Sequence, residues 1–170
     1  MDGKNRREKI LAALDNSKKA IKGSDLAITY GVSRQVVVQD IALLRAQGKA
    51  IVSTAEGYMV YASDEANNRR VFCVSHEDDQ LEEELLIFVD NGGHLMNVIV
   101  DHPVYGQITV DLLLKTRRQV KAFINKIQST DFIPLMTLAN GNHYHTVEAD
   151  SEEALDDIEK ELRAVGFLVD

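Results

Sequence analysis

The turn Gly31-Val32-Ser33 constrains this chain more than any other feature, because it joins two segments too short to be stable alone. Gly31 suits the left-handed end of one helix, and Ser33 suits the N-cap of the next. Ser24 reads as the N-cap of the first, which runs through about Tyr30. The second spans Arg34 to about Gln47, with Val37, Ile41 and Leu44 at i, i+4 and i+7 as its buried stripe. So short a link makes the two helices cross steeply, and they need a brace. Asn5 to Leu14 supplies it, with Ile10, Leu11 and Leu14 at helical spacing. Residues 50–61 (AIVSTAEGYMVY) read as two short strands around Ala55-Glu56-Gly57. Three helices followed by a hairpin make the layout of a winged helix-turn-helix.

The major groove of DNA admits one helix, and polar residues at that helix's N-terminal end reach base edges or phosphates. Ser33, Arg34, Gln35 and Gln39 occupy those positions, and Arg45 extends the polar face. Of Val36 and Val38, at least one must be exposed, where a thymine methyl is the matching partner. The hairpin around Gly57 is the wing, placed to touch the adjacent backbone. The net charge of −8 argues against such a role until the chain is divided. Residues 1–63 hold 10 Lys/Arg against 6 Asp/Glu, a balance of +4, while residues 64–170 hold 9 against 21, a balance of −12. A basic module joined to an acidic remainder fits nucleic-acid binding. The bland alternative is a three-helix adaptor.

The polar stretch SDEANN (63–68) reads as the linker between a domain over 1–63 and a second over 64–170. The second alternates. Strands are expected at Val71–Ser75, His94–Val100, Gln107–Leu114 and His143–Ala149, with a short one at Leu135–Leu138. Helices are expected at Asp79–Val89, Thr116–Ile127 and Ser151–Val165, the last closed by Gly166. The order βαββαβ, with additions, implies an α+β sandwich with helices on one side of an antiparallel sheet. The apolar strands make this domain the expected dimerisation site. Cys73, between Phe72 and Val74, reads as a buried strand thiol. A single cysteine, no apolar run of the roughly 20 residues that span a bilayer, and a charged start (MDGKNRREK) lead to the expectation of a cytoplasmic protein with no membrane partner.

All five histidines follow residue 75. His143 and His145 lie at i and i+2 of one strand and so face the same side, where two imidazoles can share a divalent metal. His76 ends the first strand of the domain. Glu82, Glu83 and Glu84 are the candidate carboxylates on the helix that follows. Glu83 points away from the apolar stripe Leu81, Leu85, Phe88 and Val89, and periodicity does not choose between the other two. Nitrogen-rich ligands favour zinc, nickel, iron or copper over magnesium or calcium, with zinc and nickel foremost. His102 and Tyr105 flank the turn His102-Pro103-Val104-Tyr105-Gly106, where ligand contacts often collect. The alternative for the histidine pair is a polar strand surface.

The segment VSRQVVVQDIALLRAQG, the turn DHPVYG and the strand HYH, in this order, resemble the niacin-responsive transcriptional repressors (the NiaR family), which join a winged helix-turn-helix to a "3H" domain. The resemblance implies a homodimer that represses niacin-uptake and NAD-synthesis genes on operator DNA, with nicotinic acid as co-repressor. It implies a divalent metal held by His76, Glu84, His143 and His145, and so selects Glu84 over Glu82. It leaves the effector contacts open. His102 and Tyr105 beside the metal are the candidates, with Arg69 or Arg70 as a further donor to a carboxylate.

Two other readings remain at this point. The protein could sense the metal itself. It could also be a metal-dependent hydrolase, since three histidines with a spare position can activate water. No general base or substrate cleft is singled out, so an enzyme is not expected.

Overall fold

The computed structural model describes residues 2–61, 68–131, 133–139 and 141–170. The chain divides into two compact units, Met1–Ser63 and Asp64–Asp170. Most of the expected linker lies outside the described residues, and its last residue, Asn68, already opens a strand.

The first unit has three helices, α1 (Gly3–Asp15), α2 (Gly23–Tyr30) and α3 (Arg34–Ala46), and a hairpin of β1 (Ile51–Thr54) and β2 (Gly57–Val60). Gly31 takes φ +66° at the end of α2, and the Ser33 hydroxyl accepts from the Val36 amide as the cap of α3. Ser24 is not a cap. The helix starts at Gly23 behind Lys22, so Ser24 lies within the first turn with its hydroxyl toward Asp25. Ile10, Leu14, Leu26, Val37, Ile41, Leu44 and Ile51 form the core.

The hairpin is stitched to the α1–α2 connection, where Ile21 and Tyr58 exchange both backbone hydrogen bonds at 2.8 Å. This contact requires Gly57. Its φ is +142°, and a Cβ there would lie 2.3 Å from the Ile21 carbonyl oxygen and 2.7 Å from the Lys22 nitrogen. Gly57→Ala is expected to destabilise this unit by at least about 2 kcal/mol and to weaken DNA binding with it. Gly31→Ala has open space and only the left-handed backbone to resist it, about 1 kcal/mol. Thermal melts of the two variants check the ranking, and equal melting temperatures would refute it.

The second unit contains β3 (Asn68–Ser75), α4 (Leu81–Asp90), β4 (His94–His102), β5 (Gly106–Leu114), α5 (Arg117–Gln128), β6 (Asn142–Ala149) and α6 (Glu152–Ala164). The strands form one sheet in the order β3-β6-β4-β5, antiparallel throughout. The C-terminal segment adds a rung to β3 through a Val74–Leu168 bridge. Phe88, Val120, Ile124, Leu155, Ile158 and Leu162 of the helices pack on Phe72, Val74, Leu95, Val100 and Val147 of the sheet. The α+β architecture is as expected.

Three local expectations are corrected. Cys73 is half-buried, because alternation turns Phe72 and Val74 into the core and Cys73 toward the face where Val71 is exposed. Leu135–Ala139 is a 3-10 turn that buries Met136, and the Pro134 carbonyl, rather than a neighbouring strand, takes the Thr137 amide. The helix placed at Asp79 begins as a 3-10 turn, Asp78–Gln80, capped reciprocally by Glu77 and Gln80, before α4 proper. No helix of the described residues is long and apolar enough to cross a membrane.

Candidate functional site

The antiparallel register of β3 and β6 places Val74 opposite His143 and Phe72 opposite His145. Both histidines therefore face the helices, and both are 1% exposed. His76 follows β3, and the short 3-10 turn carries the chain straight into α4. Glu84 on that helix is fully buried. Its carboxylate meets all three imidazoles, with Oε2 2.7 Å from His76 Nε2 and Oε1 3.1 Å from His143 Nε2 and 2.9 Å from His145 Nε2. Donor atoms of His76, Glu84 and His143 lie within 4.8 Å of one another. The four residues expected to form one cluster are together. Glu82 and Glu83 are exposed.

The opposite edge of each ring is fixed as well. His76 Nδ1 donates to the Glu77 carbonyl at 2.8 Å, His143 Nδ1 to the Gly141 carbonyl at 2.8 Å, and His145 Nδ1 to the Asn97 carbonyl at 2.7 Å. A carbonyl oxygen only accepts, so each Nδ1 carries its hydrogen and each neutral ring aims an Nε2 lone pair at the carboxylate. Acceptors then face an acceptor in a buried site, which is stable only with a proton or cation between them. Burial opposes charge on His76, yet the Glu84 carboxylate outweighs it and holds the imidazole pKa above its ordinary value. Burial likewise pushes Glu84 up, but His145, His143 and His76 together hold it well below the usual carboxylate range. His145 Nε2 is buried and makes no aligned hydrogen bond with any described group. Three imidazoles oriented by backbone carbonyls, one carboxylate and one orphaned nitrogen fit a divalent transition metal.

Beside His143 and His145 lies a small apolar cavity of roughly 50 Å³, lined by Leu81, Leu85, Leu112, Phe123, Leu135 and Met136 among others. Among the described residues no charged side chain borders it. Leu112 reaches it because the β4–β5 ladder is irregular there, with Leu113 at φ +51°.

His102 and Tyr105 are not gathered into this site. They form the β4–β5 hairpin tip, five residues along β4 from Asn97, about 17 Å at strand rise. His102 Nδ1 accepts the amides of Val104 and Tyr105 at 3.2 Å, and its ring packs 4.9 Å from that of Tyr105, which is 79% exposed. The two arginines considered for an effector carboxylate are already engaged. Arg69 pairs with Glu148, and Arg70 with Glu152, Asp156 and Glu159 at 2.9–3.0 Å.

In the first unit, Ser33, Arg34, Gln35 and Gln39 are exposed on the outer side of α3, and Val38 is 40% exposed beside them. Arg45 is turned away, bound to the Ile51 carbonyl at 2.7 Å and the Ser53 hydroxyl at 2.8 Å. The wing turn carries Glu56 and no cation. Asp40 escaped sequence reasoning altogether. It is 2% exposed on α3 and held by Arg6 of α1 at 2.6 Å, with Arg7 at 3.5 Å. A polar residue interrupting the stripe Val37, Ile41, Leu44 was the signal.

Comparison with known proteins matches a 3H domain over residues 69–170 and an HTH domain over residues 6–59. The chain is 42% identical over 165 residues to "Probable transcription repressor NiaR" of Thermotoga maritima, covering 97% of this chain and 94% of that protein. It is 38% identical over 170 residues to "Transcription repressor NadR" of Bacillus subtilis, covering 98% and 94%. These are DNA-binding regulators rather than enzymes, and so is this protein. The helix-turn-helix unit, the 3H unit and relatives aligned almost end to end establish that the chain belongs to the NiaR family of transcription repressors.

Proposed function

We propose that this protein is a cytoplasmic, homodimeric repressor of niacin-uptake and NAD-synthesis genes, with nicotinic acid as co-repressor and a divalent metal, zinc or nickel, on His76, Glu84, His143 and His145. The observation that carries the sensing half is the convergence of three oriented imidazoles on Glu84 beside an apolar cavity. The cavity's apolar lining is compatible with an aromatic ring, but at roughly 50 Å³ it admits one only if the side chains around it give way. A metal held by His76, Glu84, His143 and His145 would supply Lewis acidity toward a ring nitrogen. The protein's own residues orient the ligands through the Nδ1 contacts and exclude water with the leucines. His102 and Tyr105 have no part in this pocket.

Operator DNA is read by α3. Ser33 fixes the start of the helix, Arg34 reaches the phosphate or a guanine, and Gln35 and Gln39 face base edges. A ligand strengthens repression only through its preference for the DNA-competent state, and a switch from 1:99 to 99:1 needs about 5.5 kcal/mol of it.

The test is operator binding with the metal fixed and nicotinic acid varied, alongside elemental analysis. Nicotinic acid is expected to tighten binding in wild type and to have no effect in His145→Ala. Arg34→Ala is expected to bind the operator about tenfold more weakly with its metal content unchanged. If nicotinic acid does nothing while metal removal abolishes binding, the protein senses the metal itself.

A further inference from the structure

The second unit is acidic, yet its cations are not spread over it. Five of its nine Lys/Arg lie between Lys115 and Lys126, and no Asp or Glu occurs between Asp111 and Asp131. That stretch is α5 with its leading residues. Its inner side is fixed by the core, with Val120 and Ile124 buried and Phe123 and Ile127 half-buried. Its outer side presents Arg118, Lys121, Ala122, Asn125 and Lys126, all exposed.

Four of this unit's five arginines are in ion pairs: Arg69 with Glu148, Arg70 with three acids of α6, Arg117 with Asp90, and Arg163 with Asp170. Arg118 is the exception. Among the described residues neither Arg118 nor Lys121 is in an ion pair, although the unit holds more than two carboxylates for every cation. The helix N-terminus plays no part, since Thr116 and Gln119 cap it reciprocally.

From this we infer that the outer face of α5 is a second DNA-contacting surface, which binds the phosphate backbone through Arg118 and Lys121, with Asn125 as a neutral donor. Composition decides between DNA and a second copy of the chain. A stable protein interface needs an apolar centre and is depleted in lysine. On α5 this face offers only Ala122, with half-buried Leu86 of α4 beside it. Arg, Lys and Asn are instead the side chains that dominate phosphate contacts. A polyanion is already the partner of this repressor. A unit of charge −12 is repelled by it overall, and α5 is a stretch that carries cations and no carboxylate. Glu82 of α4, across the groove from Arg118 and Lys121, marks the edge of the patch.

The test is operator binding by the full-length, metal-loaded Arg118→Ala/Lys121→Ala variant as a function of salt. Each lost phosphate contact should reduce the log–log salt slope by about 0.9, so the double variant is expected to lose about 1.8 per protomer, or about 3.6 for a dimer that seats both α5 helices on the DNA. Binding should weaken by a similar factor on operator and on unrelated DNA, with metal content and melting temperature unchanged. Lys160→Ala on α6 changes the unit's net charge without touching the patch, and should leave the slope as it is. An unchanged slope in the double variant overturns the inference. So does a slope equally reduced in Lys160→Ala, or a loss of dimer by light scattering, which would make α5 an interface between copies. None of these outcomes depends on whether nicotinic acid is the effector.

Discussion

Removing divalent metal with a chelator is expected to lower the melting temperature of the second unit by roughly 15–30 °C and to leave that of the first unit where it was. A ligand at a thousand times its Kd adds about 4 kcal/mol to the state that binds it. One kcal/mol moves the melting point of a domain near 100 residues by about 4–8 °C. The reason for expecting so large a response is local. With the metal gone, Glu84 and three Nε2 atoms remain in a space that water does not reach, and a proton has to replace the cation. His145→Ala should reproduce the loss of metal without chelator. Calorimetry of wild type before and after chelation, with metal measured on the same sample, checks this. Identical melts, in protein shown to have carried metal, would count against a structural contribution from the site.

Asp40→Ala is the second large effect. Breaking one side of a buried ion pair typically costs about 3–5 kcal/mol, because the partner charge is left without compensation. Arg6 is only 13% exposed on its side chain and points at this one carboxylate. A unit of about 60 residues has little stability in reserve. The variant is therefore expected to lose the first unit's melting transition and all operator binding, while keeping a folded, metal-loaded second unit. Asp40→Asn retains the volume and one acceptor oxygen, and should fall between. Operator binding by Asp40→Ala at wild-type affinity would show that Arg6 finds another partner.

The legible parts of this protein were those set by spacing along the chain. Gly31 and Ser33 act on neighbours a few residues away, and the stripe Val37, Ile41, Leu44 shows itself as helical spacing whatever it packs against, so local geometry fixes them. His143 and His145 follow from strand alternation alone. The carboxylate did not. Choosing Glu84 over Glu82 depends on the angle at which α4 crosses the sheet, and periodicity carries no such information. Asp40 was missed because its partner is 34 residues away. His102 looked like a ligand contact because a histidine beside a proline turn often is one, and here it accepts the amides of its own turn. Arg69 and Arg70 misled for the related reason that a sequence shows charges and not the acids that face them across a sheet.

The α3 helix is tied down at its last turn and in its middle, and the wing beside it is tied separately. Arg45 joins its last turn to β1, Asp40 joins its centre to α1, and the hairpin is bonded to Ile21. Arg45 thus clamps the wing to the helix across the exposed residues 47–50, which favours a reading head carried as a piece over one reshaped. Whatever ligand the second unit answers to, its influence on DNA binding then acts on where the head is held and not on the pattern of base edges it matches. Binding-site selections run with and without effector should return the same half-site motif, differing only in yield.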